Sequence, residues 1–327
     1  MAGLRWGILG TARINRRVIP AMRAARRSSL AVVASRNQAR AEAFAKTWEI
    51  PRAVEGYQRV LDDAAVDAVY IPLPNSEHVK WTLAAVAAGK HVLCEKPLAL
   101  DPAHVDQIAA AASAARVCVE EGFMYRHEPL TARVLELVRG GAVGAVRAIV
   151  SGFTFTLTDE ANVRLDPALG GGALWDVGCY PVTYARLIAD RDPKMVFGSA
   201  QWAASGVDEE FMGMLRFPGG ATAAIYAGFT APWRTWLEIL GSDGALTVPN
   251  PFRPEPIETL ELERAGTIEH IDVAGSPQIF VREIEDFEAC VLDGAPPVVS
   301  LAESRRTVAI LSALYASARD PASGRHV

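Results

Sequence analysis

Short apolar runs alternate with helical patterns along residues 1–122, and this alternation constrains the fold more than any other feature of the chain. Runs that are apolar on both faces are typical of strands buried inside a parallel sheet. Strands that alternate with helices predict right-handed crossovers and therefore a doubly wound sheet. The predicted strands are Arg5–Leu9, Leu30–Ala34, Ala68–Ile71, His91–Cys94 and Val117–Val119, and the predicted helices are Val18–Ala25, Gln38–Trp48, His78–Ala88 and Pro102–Ala114.

The pattern changes from Val146 onward, where strand candidates follow one another with short turns between them. Such a series predicts a largely antiparallel sheet, and the helical pattern Trp175–Ala189 is expected to lie across it. We therefore predict an α/β chain with a Rossmann domain at residues 1–122 and an α+β domain with a large, mostly antiparallel open sheet at residues 123–327. The strand candidates are Ala148–Thr156, Val196–Trp202, Phe211–Phe217, Ala221–Gly228, Arg234–Leu240, Thr259–Glu263 and Ile268–Val273.

The composition limits the classes of partner. With 327 residues, of which 50% are hydrophobic and 22% charged, the chain has the length of about two globular domains. A formal net charge of -5 gives no electrostatic footprint for nucleic acid or an anionic membrane, so neither partner is predicted. The arginines between Arg13 and Arg27 are interpreted as a solvated helix face rather than a binding patch.

Several further features bear on the compartment. The amino terminus, Met1 to Trp6, leads directly into the first predicted strand, and no apolar stretch approaches the roughly 20 residues that span a bilayer, so a cytoplasmic protein is predicted. The four cysteines lack Cys-x-x-Cys spacing and are expected to be reduced thiols, although a role in the site stays open for Cys179. No histidine has ligand spacing, and no metal is predicted.

A phosphate-binding loop is predicted after the first strand. The segment Gly10-Thr11-Ala12-Arg13-Ile14-Asn15 departs from the dinucleotide fingerprint at its second and third glycines. Ala12 still permits a close approach to a pyrophosphate, whereas Asn15 removes a glycine at which helix and sheet pack. Because a strand precedes this loop and a helix follows it, the backbone N–H groups at the helix start offer an anion site.

The choice of cofactor depends on the end of the second strand. An acid there would bind a ribose 2′-hydroxyl, and a cation would accept a 2′-phosphate. The chain has Ser35, Arg36 and Asn37 at this point and Arg40 one turn further on, with no acid among them. NADP is therefore predicted in preference to NAD, although Arg36 has the alternative role of stacking on the adenine.

Two later motifs supply groups for proton transfer. Lys96 follows a predicted buried strand, at the edge where open α/β sheets bind ligands. Asp176 and Tyr180 follow a glycine-rich turn and, four residues apart, share one helix face. Free tyrosine titrates near ~10, so work near neutral pH needs a shift of roughly 2–3 units, or about 3–4 kcal/mol. An ammonium group about 4 Å away supplies about 4 kcal/mol at an effective dielectric of ~20, so one lysine is enough.

These motifs resemble a known family, the glucose-fructose oxidoreductase, inositol dehydrogenase and rhizopine-catabolism group (Gfo/Idh/MocA). The resemblance lies in the order and spacing of several segments, from Trp6-Gly7-Ile8-Leu9-Gly10 to about Tyr184, and it returns near the carboxyl terminus. The segments are Gly89-Lys90-His91-Val92-Leu93-Cys94-Glu95-Lys96-Pro97, Glu121-Gly122-Phe123-Met124-Tyr125-Arg126, Asn162-Val163-Arg164-Leu165-Asp166-Pro167, Gly170-Gly171-Gly172 and Ser312-Ala313-Leu314-Tyr315-Ala316-Ser317.

The resemblance implies a nicotinamide-dependent dehydrogenase or reductase of sugars or polyols, in which Lys96 and the residue at position 180 serve catalysis. Tyrosine at position 180 is more similar to the NADP-dependent sugar and dihydrodiol dehydrogenases than to the inositol enzymes. The resemblance also implies a cis peptide bond between Lys96 and Pro97. It places the segment after the third strand under the nicotinamide ribose. The candidate cofactor contacts at the later strand ends are Pro72, Leu73, Pro74, Asn75, His78, Glu95, Lys96, Gly122 and Arg126.

Roles for the reacting groups follow from these expectations. Tyr180 is expected to take the proton of the substrate hydroxyl, Lys96 to lower the tyrosine pKa, and Asp176 to orient a second hydroxyl. Several of these residues keep a structural alternative. Asp176 has one as a partner of Lys96 or as a helix amino-terminal charge, His78 as a helix amino-terminal residue and Glu95 as a support of the backbone. The other candidate substrate contacts are Tyr125, Arg126, Arg164 and Trp175, with a surface ion pair as the alternative for Arg164 and core packing as the alternative for the aromatic residues.

Two other functions stay open. One is a reductase of a keto-sugar, either free or nucleotide-linked, in a biosynthetic pathway. The other, from a different class, is a non-catalytic NADP-binding regulator, which would be expected to lack the pair Lys96 and Tyr180. The bare face of the second sheet predicts a homodimer or homotetramer, and the apolar positions assigned to that face are Phe211, Leu215, Ile225 and Phe229.

Overall fold

The computed structural model describes residues 3–320 and 325–326, so that Met1 and Ala2 lie outside the described residues. The chain forms two compact units. The first contains the described residues up to His127 together with Gln278–Arg305, and the second contains Glu128–Pro277 and the described residues from Arg306 onward. The predicted limits, 1–122 and 123–327, placed residues 278–305 in the second domain. This segment groups instead with the first unit, where the Phe287 ring packs 5.1 Å from that of Trp6.

The first unit is built on a parallel sheet of six strands, which confirms the predicted doubly wound architecture. The strands lie in the order β3-β2-β1-β4-β5-β6, and the order reverses direction between β1 and β4. Each predicted strand is present, with bounds that shift by at most a few residues. The strands are β1 (Leu4–Leu9), β2 (Ser28–Ser35), β3 (Ala53–Glu55), β4 (Ala68–Ile71), β5 (His91–Glu95) and β6 (Val119–Gly122).

Local sequence explains where two helices of this unit begin. The Asn37 side chain accepts a hydrogen bond from the Arg40 amide at the start of α2, and Asp101 caps α5, where Pro102 occupies the first turn. The helices are α1 (Asn15–Ala24), α2 (Gln38–Thr47), α3 (Gln58–Leu61), α4 (Asn75–Ala87), α5 (Pro102–Ala115) and α8 (Val281–Asp293), and a 3₁₀ turn covers Met124–His127.

The second unit contains the predicted large sheet, with nine strands in the order β14-β13-β12-β11-β7-β10-β9-β8-β15. Its pairs are antiparallel except for β7 and β10, which run parallel. The strands are β7 (Val146–Thr154), β8 (Met195–Trp202), β9 (Asp208–Arg216), β10 (Thr222–Gly228), β11 (Arg234–Gly241), β12 (Ala245–Val248), β13 (Ile257–Arg264), β14 (Thr267–Ala274) and β15 (Arg325–His326).

The helical pattern predicted at residues 175–189 is divided in two. A π-helical turn, Leu174–Gly178, leads into the α-helix α7, Cys179–Ala189. The remaining helices of this part are α6 (Pro129–Arg139) and α9 (Leu301–Arg319), of which the residues from Arg306 onward belong to the second unit. In the described part of the chain, no helix has the length and apolar character needed to cross a membrane.

The sheet of the second unit has one covered and one exposed face, because successive side chains of a strand point to opposite faces. Phe211, Leu215, Ile225 and Phe229 are each at most 3% exposed, so the assignment of these residues to a bare face is wrong. Their neighbours in β9 point the other way. Met212 is 59% exposed and Met214 46% exposed, and these residues mark the open face.

Candidate active site

The carboxyl ends of the strands in the first unit bring the predicted cofactor residues to one edge of the sheet. Leu9 is paired with Ala34, Ile71 with Cys94, and Glu95 with Gly122, so the loops that follow these strands start at the same level. In an open α/β sheet the ligand crevice forms at this edge, at the point where the strand order reverses. Here that point lies between β1 and β4.

The loop after β1 has the conformation that a phosphate-binding turn requires. Gly10 has a φ of 115°, and a Cβ atom there would lie 3.0 Å from the Leu73 side chain. The Asn15 side-chain amide donates a hydrogen bond of 2.9 Å to the Gly10 carbonyl, and its residue is fully buried. Asn15 therefore holds the loop against the helix start in place of the expected glycine. The first turn of α1 carries no acidic residue that would compete with a phosphate.

Two arginine side chains lie just after the end of β2. Arg36 and Arg40 are exposed, and the Arg40 Nε atom donates to the Thr11 hydroxyl at 2.7 Å, which connects this strand end to the loop after β1. Burial raises the pKa of Tyr57, and the positive charges of Arg36 and Arg40 act in the opposite direction. The three side chains therefore lie near one another. This arrangement fits the 2′-phosphate of NADP better than the 2′-hydroxyl of NAD.

Sequence reasoning missed two aromatic residues at this edge. Tyr57 and Trp81 meet edge to face with ring centroids 5.0 Å apart, and the Tyr57 hydroxyl lies 3.9 Å from the position of a Cβ on Gly10. Tyr57 follows the three-residue strand β3, which no sequence pattern indicated. Neither residue belongs to a recognisable motif, so only the fold brings them to the loop.

His78 connects two loops of the cofactor edge. Its ring is fully buried, with Nδ1 2.8 Å from the Pro97 carbonyl oxygen and Nε2 2.7 Å from the Leu73 carbonyl oxygen. Burial lowers the pKa of His78, while the two carbonyl groups favour the protonated ring. His78 thus ties the Leu73 loop to the turn after β5, a role that neither sequence interpretation of this residue included.

Lys96 and Glu95 follow β5, and the peptide bond between Lys96 and Pro97 is cis, as predicted. The Tyr70 hydroxyl donates to the Glu95 carboxylate at 2.5 Å. The Leu98 amide donates to the buried Glu121 carboxylate at 2.8 Å. Burial raises the pKa of Glu121, and the charge of Lys96 is among the influences that oppose this rise. The backbone around Lys96 is therefore held by buried polar groups of neighbouring strands.

Two candidates from the segment after β6 are engaged inside the first unit. The Arg126 guanidinium lies 3.1 Å from Glu303 and its side chain is 9% exposed. Tyr125 is fully buried, and its ring meets that of Phe123 edge to face at 6.0 Å. These contacts stabilise the fold, and they show Arg126 and Tyr125 in internal packing rather than on an open surface.

In the second unit, Asp176 lies in the π-helical turn and Tyr180 in the first turn of α7. Short π-helical segments are frequent at functional sites. The Arg164 Nε atom donates to the Asp176 carboxylate at 2.5 Å, and the Arg164 guanidinium lies 5.7 Å from the centre of the Phe155 ring. The structure therefore brings together two residues that the sequence could only propose separately. Arg164 is 40% exposed and Asp176 13% exposed, so the arginine side of the pair faces solvent.

Tyr180 is surrounded by aromatic residues. Its ring lies 5.4 Å from those of both Phe153 and Phe252. Phe252 is fully buried and comes from the proline-rich loop between β12 and β13, whose role the sequence did not indicate. The Trp233 ring lies 5.0 Å from Phe153 and is 51% exposed, so this aromatic cluster reaches the surface of the unit.

Two further candidates of this unit are buried. Trp175 is 7% exposed, close to the 6% of Tyr180, and its ring lies 6.2 Å from that of Tyr315. Cys179 is fully buried, and its thiol contacts the Asp176 carbonyl oxygen at 3.5 Å. All four cysteines carry free thiols. Within the described ranges, no group of three or more His, Cys, Asp or Glu side chains is arranged to hold a metal ion.

Comparisons with known proteins agree with this geometry. Residues 4–123 match the model of the oxidoreductase family with an NAD-binding Rossmann fold, and residues 131–247 match the GFO/IDH/MocA C-terminal domain. The chain is 39% identical over 326 residues to a D-xylose 1-dehydrogenase (NADP(+)) of Haloferax volcanii, which covers 98% of this chain and 99% of the relative.

Two solved structures are similar over nearly the whole chain. A 3-ketoreductase from Actinomadura kijaniata, in complex with NADP and TDP-benzene, has a TM-score of 0.92 and 30% identity, covering 96% of this chain and 98% of that one. An aldose-aldose oxidoreductase from Caulobacter crescentus, complexed with glycerol, has a TM-score of 0.91 and 27% identity. The match covers 99% of this chain and 100% of that one.

The first unit has a parallel sheet with a phosphate-binding loop at its switch point, and the second unit has a large open sheet. These features are typical of a dinucleotide-dependent oxidoreductase with an added α+β unit. Both family models match, and together they cover most of the chain. The chain belongs to the Gfo/Idh/MocA family of oxidoreductases.

Proposed function

We propose that this protein is an NADP-dependent oxidoreductase that transfers a hydride between the nicotinamide and a hydroxyl- or carbonyl-bearing carbon of a sugar or polyol. The observation that carries the proposal is the pairing of two features on one chain. The segment after β2 carries Arg36 and Arg40 and has no acidic residue from Arg36 to Arg40. Helix α7 carries Tyr180, one turn from the Arg164–Asp176 ion pair. Similarity to the NADP-dependent xylose dehydrogenase and to a ketoreductase solved with NADP supports it.

NADP fits the residues present at the edge of the first sheet. The loop Gly10–Ile14 and the start of α1 would hold the pyrophosphate, and Arg36, Arg40 and Ser35 would hold the 2′-phosphate. Pro72–Asn75 would lie against the nicotinamide ribose, with Glu95 and Gly122 at the neighbouring strand ends. When bound, NADP supplies the carbon that accepts or returns the hydride.

Lys96 and Tyr180 are proposed to move the proton. Tyr180 takes the proton of the substrate hydroxyl as the hydride leaves the adjacent carbon, and it returns a proton in the reverse direction. Lys96 favours the tyrosinate by its positive charge. Asp176, held by Arg164, accepts a hydrogen bond from a second substrate hydroxyl and so fixes the orientation of the sugar. The Phe153 and Phe252 rings, each 5.4 Å from that of Tyr180, would limit the access of water to this side chain.

A keto-sugar reductase, with a nucleotide-linked substrate, is the second candidate. One observation favours it. The Arg253 guanidinium lies 4.9 Å from the centre of the exposed Trp233 ring, next to the aromatic cluster that contains Tyr180. An exposed aromatic ring beside a cation can hold a base and a phosphate. The ketoreductase from A. kijaniata was solved with TDP-benzene, a nucleotide-linked compound.

A substrate panel separates these functions. Free aldoses, dihydrodiols and nucleotide-linked keto-sugars are each assayed by NADPH absorbance, with oxidation and reduction followed separately. Turnover of free aldoses supports the sugar dehydrogenase, and exclusive turnover of nucleotide-linked keto-sugars supports the reductase. A non-catalytic regulator would bind NADP and turn over none of the compounds, and this result would contradict both enzymatic proposals.

The protein is further proposed to assemble as a homodimer or homotetramer through the open face of the nine-stranded sheet, and to act in the cytoplasm. Phe197, Met212 and Met214 point from this face, and the Trp236 ring covers Gly152 on the same face. Apolar side chains in such number favour a protein partner over water. The cysteines lack Cys-x-x-Cys spacing in the sequence, as is usual for a protein of a reducing compartment.

A further inference from the structure

A buried carboxylate from β9 lies at the beginning of the helix that carries Asp176 and Tyr180. The Leu174 amide donates a hydrogen bond of 2.6 Å to the Asp208 Oδ2 atom, and the Ala173 amide also hydrogen-bonds to this carboxylate. Asp208 is fully buried. The first N–H groups of a helix lack partners within the helix, and a carboxylate there also interacts favourably with the helix dipole. Asp208 therefore caps this helix although it lies more than thirty residues further along the chain.

The third glycine of the triplet before the helix is explained by the same carboxylate. Gly172 has a φ of 123°, and a Cβ atom at this position would lie 2.1 Å from the Asp208 Oδ1 atom. No side chain fits there without displacing the carboxylate. The glycine that the sequence singled out thus makes room for the cap of the following helix.

Tyr315 completes the arrangement from α9. Its hydroxyl donates a hydrogen bond to the Asp208 carboxylate. Its ring stacks on that of Phe211 at 6.3 Å and lies 6.2 Å from that of Trp175. Tyr315 belongs to the segment Ser312–Ser317, whose resemblance to the family had no assigned role. The hydrogen bond and the ring packing together fix the carboxylate against the helix start.

We propose that Asp208 and Tyr315 are positioning residues, which hold the start of the helix so that Asp176 and Tyr180 point at the substrate. The inference rests on the proposed catalytic function of those two residues. Leu174, which donates to Asp208, lies two residues before Asp176, so a shift at the cap moves the Arg164–Asp176 ion pair directly.

The charge of this cap changes close to neutral pH. Burial raises the pKa of Asp208 to about 7, and the Leu174 amide and the Tyr315 hydroxyl favour the ionised form. The ionised carboxylate accepts hydrogen bonds at the helix start, whereas protonation removes an acceptor and the attraction to the helix dipole. Tyr315 and Arg319 from α9 lie at this position, with Arg319 over the Tyr315 ring. The charged residues nearest to it along the chain are Asp176 in the π-helical turn and Glu209 in β9.

The test measures kcat and KM against pH for three variants of the full chain. Asp208→Asn keeps the shape of the side chain without its titration, Tyr315→Phe removes the hydroxyl donor, and Asp272→Asn is the matched control at an exposed position of β14. The unchanged protein should show an inflection of kcat near the pKa of Asp208 in both oxidation and reduction, with activity higher on the alkaline side, whereas the titration of Tyr180 acts with opposite sign in the two directions. In Asp208→Asn this inflection should vanish, with kcat about tenfold lower and KM for NADP unchanged.

Tyr315→Phe should move the inflection to higher pH, because the hydroxyl favours the ionised carboxylate. Hydrogen exchange of a peptide covering residues 172–178 should be faster in both variants than in Asp272→Asn. An unchanged inflection in Asp208→Asn, or unchanged exchange in both variants, would overturn the proposal. If Asp208→Asn fails to fold, the pH of the inflection and the hydrogen exchange of Tyr315→Phe test the proposal alone. Full activity of Tyr180→Phe would end the proposed function, while the exchange result would still report on the cap.

Discussion

Asn15 shows how a single residue replaces a missing motif position. A glycine is the usual residue where the first helix packs against the sheet, and its absence weakens the sequence signature. The structure compensates, because the Asn15 amide bonds the Gly10 carbonyl and fixes the loop directly. The sequence predicted the loop from its place between strand and helix. It could not predict this bond, which depends on a buried side-chain orientation.

The specificity for NADP depends on Arg36 at the end of β2. Arg36→Ala removes a charge-assisted contact to the 2′-phosphate and should weaken NADP binding by about 1.5–3 kcal/mol. NAD binding should change little, since NAD has no 2′-phosphate. Calorimetry of both cofactors measures the difference, with Arg133→Ala in α6 as a control of equal charge change. Tighter binding of NAD than of NADP to the unchanged protein would contradict the assignment.

The residues that support the site were harder to predict than those expected to react. Lys96 and Tyr180 belong to recognisable motifs. Phe252 and Asp208 do not, because they reach Tyr180 and the helix start from distant loops and strands. Sequence patterns report periodicity and local motifs, whereas contacts between distant residues depend on the register of the whole sheet.

At the scale of elements, the longer strands of both sheets and the helices α1, α2, α4 and α5 were predicted with small shifts at their ends. The strands β3, β12 and β15 and the helices α3, α6, α8 and α9 were not predicted. The π-helical turn before α7 was not predicted, because its residues have the same apolar spacing as an α-helix. Helix α8 was not predicted, although its residues have the spacing of an amphipathic helix. That spacing does not show which core the helix packs against, so the return of the chain to the first unit could not be predicted.

The contact between Gly172 and Asp208, at the start of the π-helical turn before α7, can be tested by changing two glycines. Gly172→Ala places a Cβ atom in contact with Asp208, whereas Gly220→Ala has a similar φ of 95° and no atom within 4 Å. Both changes carry the backbone penalty of a positive φ, about 1 kcal/mol. Gly172→Ala should lower Tm more than Gly220→Ala does, and it alone should lower kcat, because only its Cβ atom displaces the Asp208 carboxylate. Calorimetry and steady-state kinetics measure the two effects, and equal losses in the two variants would show that the contact with Asp208 has no consequence.

At the scale of the whole molecule, the sequence predicted an assembly but assigned the wrong residues to its interface. Successive side chains of β9 and β10 point to opposite faces of the sheet, and the sequence alone did not show which face the helices cover. The structure shows that the exposed face carries Phe197, Met212 and Met214, with Trp236 lying over Gly152. A larger residue at position 152 would displace this ring.

The assembly prediction follows from that exposed face. Light scattering at micromolar concentration should give at least about twice the chain mass of 35.1 kDa. Met212→Asp places a charge on the face and should shift the mass toward that of one chain, because an unpaired charge is costly inside an apolar interface. Ala110→Asp, at an exposed position of α5 outside this sheet, is the control of equal charge change. A stable single-chain mass for the unchanged protein would contradict the prediction.

The central claim is that Tyr180 transfers the proton and that Lys96 makes it able to do so. The most direct measurement is kcat, with an aldose that the unchanged enzyme oxidises, for Tyr180→Phe, Lys96→Met and the double variant. Each single change should lower kcat by at least about a hundredfold while NADP still binds. The double variant should be little worse than either, since groups that act as a unit are not additive. A near-normal kcat for Tyr180→Phe, or fully additive losses in the double variant, would contradict the claim.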